Sequence, residues 1–259
     1  MNGELDLSII APAFVAGLLV LATHVPLGAQ VLQRGIVFID LAIAQIAGLG
    51  VIAAGLLEVE PHGWTMQLAA GAAAMLGAFL LSAMEKRWPE VHEAQIGAIF
   101  VLAATGSLLL LARHPHGEEH LRDLLSGQIL WLTPWQLLLP AIATLLIGLV
   151  LRFFGKALGG LGFYLLFALA VTLSVQLVGV YLVFASQIIP SLGARRHPPA
   201  RRLALAFLSG VAAYALGLIV SLWSDLPAGA LIVWFLAAMA VITHALAPKA
   251  FGATGDQAG

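Results

Sequence analysis

A few ionisable and amide side chains lie inside long apolar stretches of this chain. Asp40 is the clearest: it follows Arg34 in the run GIVFIDLAIAQIAGLG (35–50), which also holds Gln45. His24 lies in the apolar run before it. A charge at the centre of a bilayer costs several kcal/mol and persists mainly where it faces a polar cavity. Two interpretations of Asp40 stay open: a carboxylate on an ion pathway, or one near the membrane surface that is solvated or paired with Arg34.

A second set of possible metal ligands lies in one polar stretch. It holds three imidazoles and two carboxylates: His114, His116, Glu118, Glu119 and His120. Imidazole and carboxylate suit borderline divalent ions such as zinc, and the chain has no cysteine thiolate to offer. The stretch is either a loop that collects metal or a solvated loop that binds metal weakly, as any His-rich tract does.

Pro190 follows Gln187 in the apolar segment FASQIIPSLG. A proline inside a helix removes one backbone hydrogen bond and frees carbonyl groups, which could contact an ion or simply accommodate a kink. Two catalytic motifs are missing. His92 and Glu93 are not followed by the second histidine of HExxH, and there is no GxxxxGK[ST] loop for ATP.

Composition places these side chains in a membrane protein. Hydrophobic residues make up 61% of the chain and charged residues 10%, whereas soluble domains hold about 25% charged residues. The net charge of -1 offers no basic surface for nucleic acid. A bilayer core needs about 20 apolar residues per helix. Nine segments qualify: 8–32, 36–57, 64–84, 95–112, 133–153, 161–176, 178–194, 203–223 and 228–247.

The predicted fold is therefore an all-α polytopic transmembrane bundle of about nine spans. Eight is the alternative, because the run 161–194 is nearly continuous around Gly179. The small residues in 43–55 and 70–78 favour close helix packing over a pore lining. We predict one transmembrane domain over residues 1–251 and a short polar tail over 252–259.

The basic residues orient the bundle. Ten of the 12 Lys and Arg residues fall in alternate gaps between the predicted spans: Arg34, Lys86, Arg87, Arg152, Lys156, Arg195, Arg196, Arg201, Arg202 and Lys249. Only Arg113 and Arg122 fall in the other gaps. Cytoplasmic loops carry the excess of Lys and Arg. The pattern predicts an N-terminus outside, a cytoplasmic C-terminus and a multi-pass protein of the inner or plasma membrane.

The chain resembles the integral membrane permeases of metal-ion ABC importers, the zinc and manganese type. Five segments carry the resemblance in order: PLGAQVLQRGIVFID (26–40), EAQIGAIFVLAAT (93–105), LLSGQILWLTPWQL (124–137), LVGVYLVFASQIIPSLGARR (177–196) and SDLPAGALIV (224–233). The resemblance implies import of zinc or manganese by alternating access, with no permanently bound cofactor. It also implies a homodimeric pore in the bilayer, an ABC-type ATPase at the cytoplasmic face that alone binds ATP, and an extracytoplasmic metal-binding protein.

Two departures from the family concern its functional residues. Metal-transporting members place a histidine one helical turn after the aspartate matched by Asp40, and here that residue is Ala44, with Gln45 beside it. An amide is a weaker zinc ligand than imidazole, so we hypothesise that His24 partly replaces the missing ligand.

The second departure lies in RFFGKALGGLG (152–162), which matches the family's ATPase-coupling segment through Gly155, Lys156, Ala157 and Gly159. It is shorter than in the family and lacks acidic residues. We do not expect the chain itself to be an enzyme. The alternatives are a self-sufficient carrier for a metal or small solute, which would need more intramembrane ionisable groups than Asp40, and an intramembrane enzyme, which would need a nucleophile with its base.

Overall fold

The computed structural model describes residues 7–56, 64–111, 127, 129–154, 159–224 and 226–248. Within these ranges the backbone is mostly helical and has no β-strand. The α-helices of the described residues are α1 (Leu7–Arg34), α2 (Ile39–Leu56), α3 (Trp64–Arg87), α4 (His92–Leu111), α5 (Leu138–Phe154), α6 (Gly160–Val178), α7 (Val180–Ala194), α8 (Pro199–Ser224) and α9 (Ala228–Ala245). The predicted all-α polytopic fold is confirmed.

Each predicted span coincides with one of these helices. Seven of them are long and apolar enough to cross a membrane, whereas Ile39–Gly55 and Val180–Ala194 are shorter apolar helices. Several starting points differ from the prediction: α2 begins at Ile39 instead of 36, and α8 begins at Pro199 instead of 203. The starts of α4 and α5 differ because short 3-10 turns come before the α-helices. Pro89–Val91 leads directly into α4, which begins at His92 instead of 95, and Pro134–Leu137 delays α5 to Leu138.

The break between α6 and α7 lies at Gly179. The sequence alone allows either one span or two around this residue. Gly179 closes α6 with its N–H donated to the Val175 carbonyl at 2.8 Å. Its backbone has φ 82° and ψ 161°, a region that is essentially open only to glycine. The chain therefore forms two helices here, and α7 has 15 residues.

The chain comprises two compact units. Unit 1 contains residues 1–33, 128–144 and 181–259, and unit 2 contains residues 34–127 and 145–180. The prediction of a single permease domain over 1–251 stays a prediction, and the tail 252–259 lies outside the described residues.

In unit 2, α2 packs against α3, α4 and α6. Small residues bring α2 and α3 together: a Cβ at Gly50 would lie 2.5 Å from the Ala73 Cβ and 2.9 Å from the Ala69 carbonyl oxygen. A Cβ at Gly77 would lie 2.6 Å from the Ile46 Cδ1. In lipid, where apolar burial does not drive helices together, such close approach favours association through van der Waals contact. These contacts support the packing interpretation of the small residues.

The ends of the unit 2 helices agree with the predicted alternation of gaps. Arg34, Glu85 and Glu93 belong to gaps predicted to be cytoplasmic. Each contacts the start of α6 or of α2: Arg34 lies over Phe163, Glu85 lies beside Gly160, and Glu93 binds the Phe38 N–H. These gaps therefore meet at one end of the unit. The orientation of that end in the membrane stays a prediction.

In unit 1, α8 and α9 pack closely, and α1 contacts both α7 and α8. Ser191 of α7 donates to the Val25 carbonyl of α1 at 3.3 Å. A Cβ at Gly210 of α8 would lie 2.6 Å from Leu21 of α1. The elements that carry His24 and Gln187 thus belong to the same packed unit.

Candidate functional site

Asp40 lies in the first turn of α2, and its side chain is only 1% exposed. Neither carboxylate oxygen has a hydrogen-bond partner among the described residues. The Arg34 guanidinium lies instead over the Phe163 ring, 4.2 Å from its centroid. The interpretation that pairs Asp40 with Arg34 is therefore not the arrangement in this structure. Burial of a carboxylate without a partner is unfavourable unless a cation or hydrogen-bond donor reaches it.

The next turn of α2 offers few ligands beside Asp40. Ala44, one turn further on, is 1% exposed and contributes only a methyl group. Gln45 is 9% exposed and contributes an amide. In the part of the chain that the structure describes, no group of three or more His, Asp or Glu side chains could hold a metal ion. The pathway role of Asp40 therefore stays a prediction, and α2 itself adds only the Gln45 amide as a possible ligand one turn away.

His24 lies in α1 of unit 1 and is fully buried. Its Nδ1 lies 3.1 Å from the Val20 carbonyl oxygen and 2.9 Å from the Thr23 Oγ1. Because a carbonyl can only accept, the bond to Val20 requires the proton on Nδ1, which leaves the lone pair on Nε2. That Nε2 is buried and has no partner among the described residues. The tautomer fits a ligand role, but whether His24 supplements Asp40 of unit 2 stays a prediction.

Gln187 and Pro190 lie in α7, which continues through the proline. Gln187 is fully buried, and within the described ranges neither its amide nitrogen nor its amide oxygen has a partner. Its backbone abuts Gly28 of α1, one turn after His24. The adjacent Ser186 shares a 2.8 Å hydrogen bond with the Tyr214 hydroxyl. His24 and Gln187 are therefore buried side chains on contacting helices whose polar atoms lack partners within the described ranges, and their pathway role stays a prediction.

Sequence reasoning missed a set of contacts around the start of α2. Glu93 accepts a hydrogen bond from the Phe38 N–H at 3.3 Å. The neighbouring His92 shares a 2.7 Å hydrogen bond with Tyr164, through its Nε2 and the tyrosine hydroxyl. The only signal in the sequence was that Glu93 opens one of the five family-like segments, since apolar periodicity says nothing about which polar pairs meet.

Several predicted site residues lie outside the part of the chain that the structure describes. The possible ligands His114, His116, Glu118, Glu119 and His120, in a gap predicted to face the outer side of the membrane, are not among the described residues. The same is true of Gly155, Lys156 and Ala157 of the predicted coupling segment. Gly159 is described: it is exposed and immediately precedes α6 as its N-cap residue. The roles proposed for all of them stay predictions.

Comparison with known proteins identifies a matching family and a solved structure with a similar fold. The model of the ABC 3 transport family matches residues 6–161 and 158–247. Among solved structures, the chain is similar to one described as PsaBC from Streptococcus pneumoniae in complex with Fab. The TM-score is 0.72 at 22% sequence identity, over 93% of this chain and 91% of that chain. No curated protein sequence matches. At this identity the structural likeness concerns the fold alone.

Proposed function

The chain belongs to the ABC 3 transport family, and from this membership we propose that it is the permease subunit of an importer for a divalent metal ion. Its apolar helices and its family make it a multi-pass protein of the cell membrane and a transport subunit. We further propose that the ion is zinc or manganese and that transport proceeds by alternating access.

The structural observation that supports this proposal is the environment of the Asp40 carboxylate. Its carboxylate is buried in an apolar helix, and both oxygens lack a partner in the described part of the chain. Ionisable groups inside membrane spans are rare and mark substrate or ion pathways by default. A carboxylate without a resident countercharge can attract a cation and still release it, because few other ligands hold the ion. Weak, stepwise binding is what conduction through a membrane requires.

The available ligands bear on the choice of ion. On α2, Asp40 and Gln45 offer only oxygen donors that suit magnesium, calcium and manganese, and Ala44 offers none. Imidazole suits zinc, and His24 is the buried imidazole whose Nε2 is free of partners within the described ranges. We therefore propose that the oxygen donors of α2 alone would be sufficient for manganese, whereas transport of zinc would depend on His24.

The remaining parts of the transporter are proposed from the family. The sequence has no ATP-binding loop, so an ABC-type ATPase on another chain would supply the energy at the cytoplasmic face. Residues 152–162 would contact that ATPase. A second copy of the chain would complete the pore, and a metal-binding protein would deliver the ion from outside.

The experiment is metal-stimulated ATP hydrolysis in proteoliposomes that hold the chain with its ATPase and binding protein. Manganese, zinc and iron are each titrated against wild type, Asp40→Asn and the control Glu90→Gln, whose side chain is exposed in the turn before α4. We expect one ion to stimulate hydrolysis, Asp40→Asn to abolish the response and Glu90→Gln to preserve it. An intact complex that responds to no metal would overturn the proposal.

A further inference from the structure

The loop that leads into α2 is held at both ends. At its first end, the Arg34 guanidinium lies over the Phe163 ring of α6 at 4.2 Å from the centroid, a cation–π contact. At its second end, the Phe38 N–H donates to the Glu93 carboxylate of α4. Helix starts leave backbone N–H groups without intrahelical partners, and Glu93 satisfies the one just before α2.

The two helices that hold this loop are joined to each other. Tyr164 follows Phe163 in α6, and His92 precedes Glu93 in α4. The Tyr164 hydroxyl and the His92 Nε2 are 2.7 Å apart, and both side chains are buried. The contacts therefore close a ring, which runs from the loop to α6, across to α4 and back to the loop. We call this ring the α2 clamp; its members are Arg34, Phe38, His92, Glu93, Phe163 and Tyr164.

The clamp lies close to Asp40 along the chain. Phe38 precedes Ile39, the first residue of α2, and Asp40 is the next residue. The Phe38 carbonyl accepts the Ala42 N–H at 3.1 Å, so the held residue also belongs to the first hydrogen-bonded turn of the helix. A shift of Phe38 would move that turn, and the Asp40 carboxylate with it.

We propose that His92, Glu93 and Tyr164 are positioning residues for the ion-binding carboxylate of Asp40. They act by holding the first turn of α2 against the starts of α4 and α6. Tyr164 is the informative member, because no hydrogen bond joins it to Phe38 within the described residues. Its hydroxyl reaches the loop through the hydrogen bond to His92 and the adjacent Glu93, so removing the hydroxyl tests that route and leaves the packing of α6 on α2 in place.

The proposal rests on the proposed function for its metal readout, and a second readout does not depend on transport. Hydrogen–deuterium exchange of the purified chain, measured on the peptide over residues 36–42, reports opening at the start of α2. Tyr164→Phe keeps the ring and removes only the hydroxyl. Tyr181→Phe is the matched control, since Tyr181 is 58% exposed on α7.

Loss of one buried hydrogen bond is expected to raise the exchange rate of that peptide by about two- to tenfold in Tyr164→Phe. The metal concentration for half-maximal ATPase stimulation is expected to rise by a factor in the same range, about two- to tenfold. Tyr181→Phe should change neither value. Glu93→Ala should act as Tyr164→Phe does, and Glu93→Gln should be milder because its amide oxygen can still accept from Phe38.

The double variant Tyr164→Phe with Glu93→Ala separates a clamp from independent local effects. If both residues act through one ring, breaking the ring once releases α2, and the combined shift is smaller than the product of the single shifts. Independent effects would multiply.

The possible outcomes separately test whether the clamp exists, whether it positions Asp40 and whether the chain transports a metal. Unchanged exchange over residues 36–42 in Tyr164→Phe overturns the clamp. Faster exchange with an unchanged half-maximal metal concentration overturns its role in positioning Asp40. A wild-type transporter that shows no metal response refutes the proposed function instead, and the exchange measurement still decides whether the clamp exists.

Discussion

The close contact between α2 and α3 gives a prediction whose magnitude follows from the structure. Gly50→Ala would place a methyl group 2.5 Å from the Ala73 Cβ and 2.9 Å from the Ala69 carbonyl oxygen. Carbon atoms pack best at about 3.5–4.0 Å, so the two helices must separate by roughly 1 Å. Neither neighbour is a flexible side chain that could turn away. Overpacking of this kind costs about 1–3 kcal/mol.

Gly71→Ala is the matched variant, because Gly71 lies inside α3 and, apart from the backbone of its own helix, nothing in the described part of the chain would lie within 4 Å of its Cβ. Both variants gain the same helix propensity, about 1 kcal/mol over glycine, so the difference between them isolates the packing term. We expect Gly50→Ala to be less stable than Gly71→Ala by about 1–3 kcal/mol.

The assay is reversible unfolding of the purified chain in mixed micelles with increasing sodium dodecyl sulfate, followed by tryptophan fluorescence. Equal free energies of unfolding for Gly50→Ala and Gly71→Ala would refute the close packing of α2 on α3. Gly55→Ala is a second control on α2 itself: its Cβ would meet only the Met66 Cε at 3.7 Å, an ordinary contact, so its free energy of unfolding should resemble that of Gly71→Ala.

Two further predictions concern histidines of unit 1. His197→Ala removes a 2.7 Å hydrogen bond from the ring Nε2 to the Thr243 carbonyl in the last turn of α9. It should lower the free energy of unfolding by about 1 kcal/mol and speed amide exchange in that turn, and unchanged exchange would show that the bond is not formed in solution. His24→Ala should weaken the transport response to zinc more than to manganese, and an equal response to both ions in the variant and wild type would rule His24 out as a ligand.

The number and type of the elements could be predicted from the sequence because bilayer thickness sets the length of an apolar helix. All nine predicted spans correspond to helices of the described chain, and Gly179 marked a real break. The starts of α4 and α5 were misplaced because Pro89–Val91 and Pro134–Leu137 form 3-10 turns. The first turn lies outside the predicted span 95–112 and the second lies inside the predicted span 133–153, because hydropathy does not distinguish a 3-10 turn from a loop or from the first turn of an α-helix.

The site was predicted less completely than the fold. Asp40 stood out because a charged residue in an apolar run is conspicuous, and the structure adds that its oxygens lack partners in the described ranges. The sequence could not show that Arg34 stacks on Phe163 rather than pairing with Asp40. Nor could it show the bond between His92 and Tyr164, which depends on how α4 and α6 pack across a long separation in the chain.

Direct uptake of radiolabelled manganese and zinc tests the central claim, that this permease passes a divalent ion by way of Asp40. Proteoliposomes holding the assembled transporter would be supplied with ATP and metal-loaded binding protein, with wild type and Asp40→Asn reconstituted at equal density. We expect ATP-dependent accumulation of at least one ion by wild type and its loss in Asp40→Asn. Equal accumulation by the two proteins would contradict the role of Asp40, and the absence of accumulation by wild type would contradict the metal-import function itself.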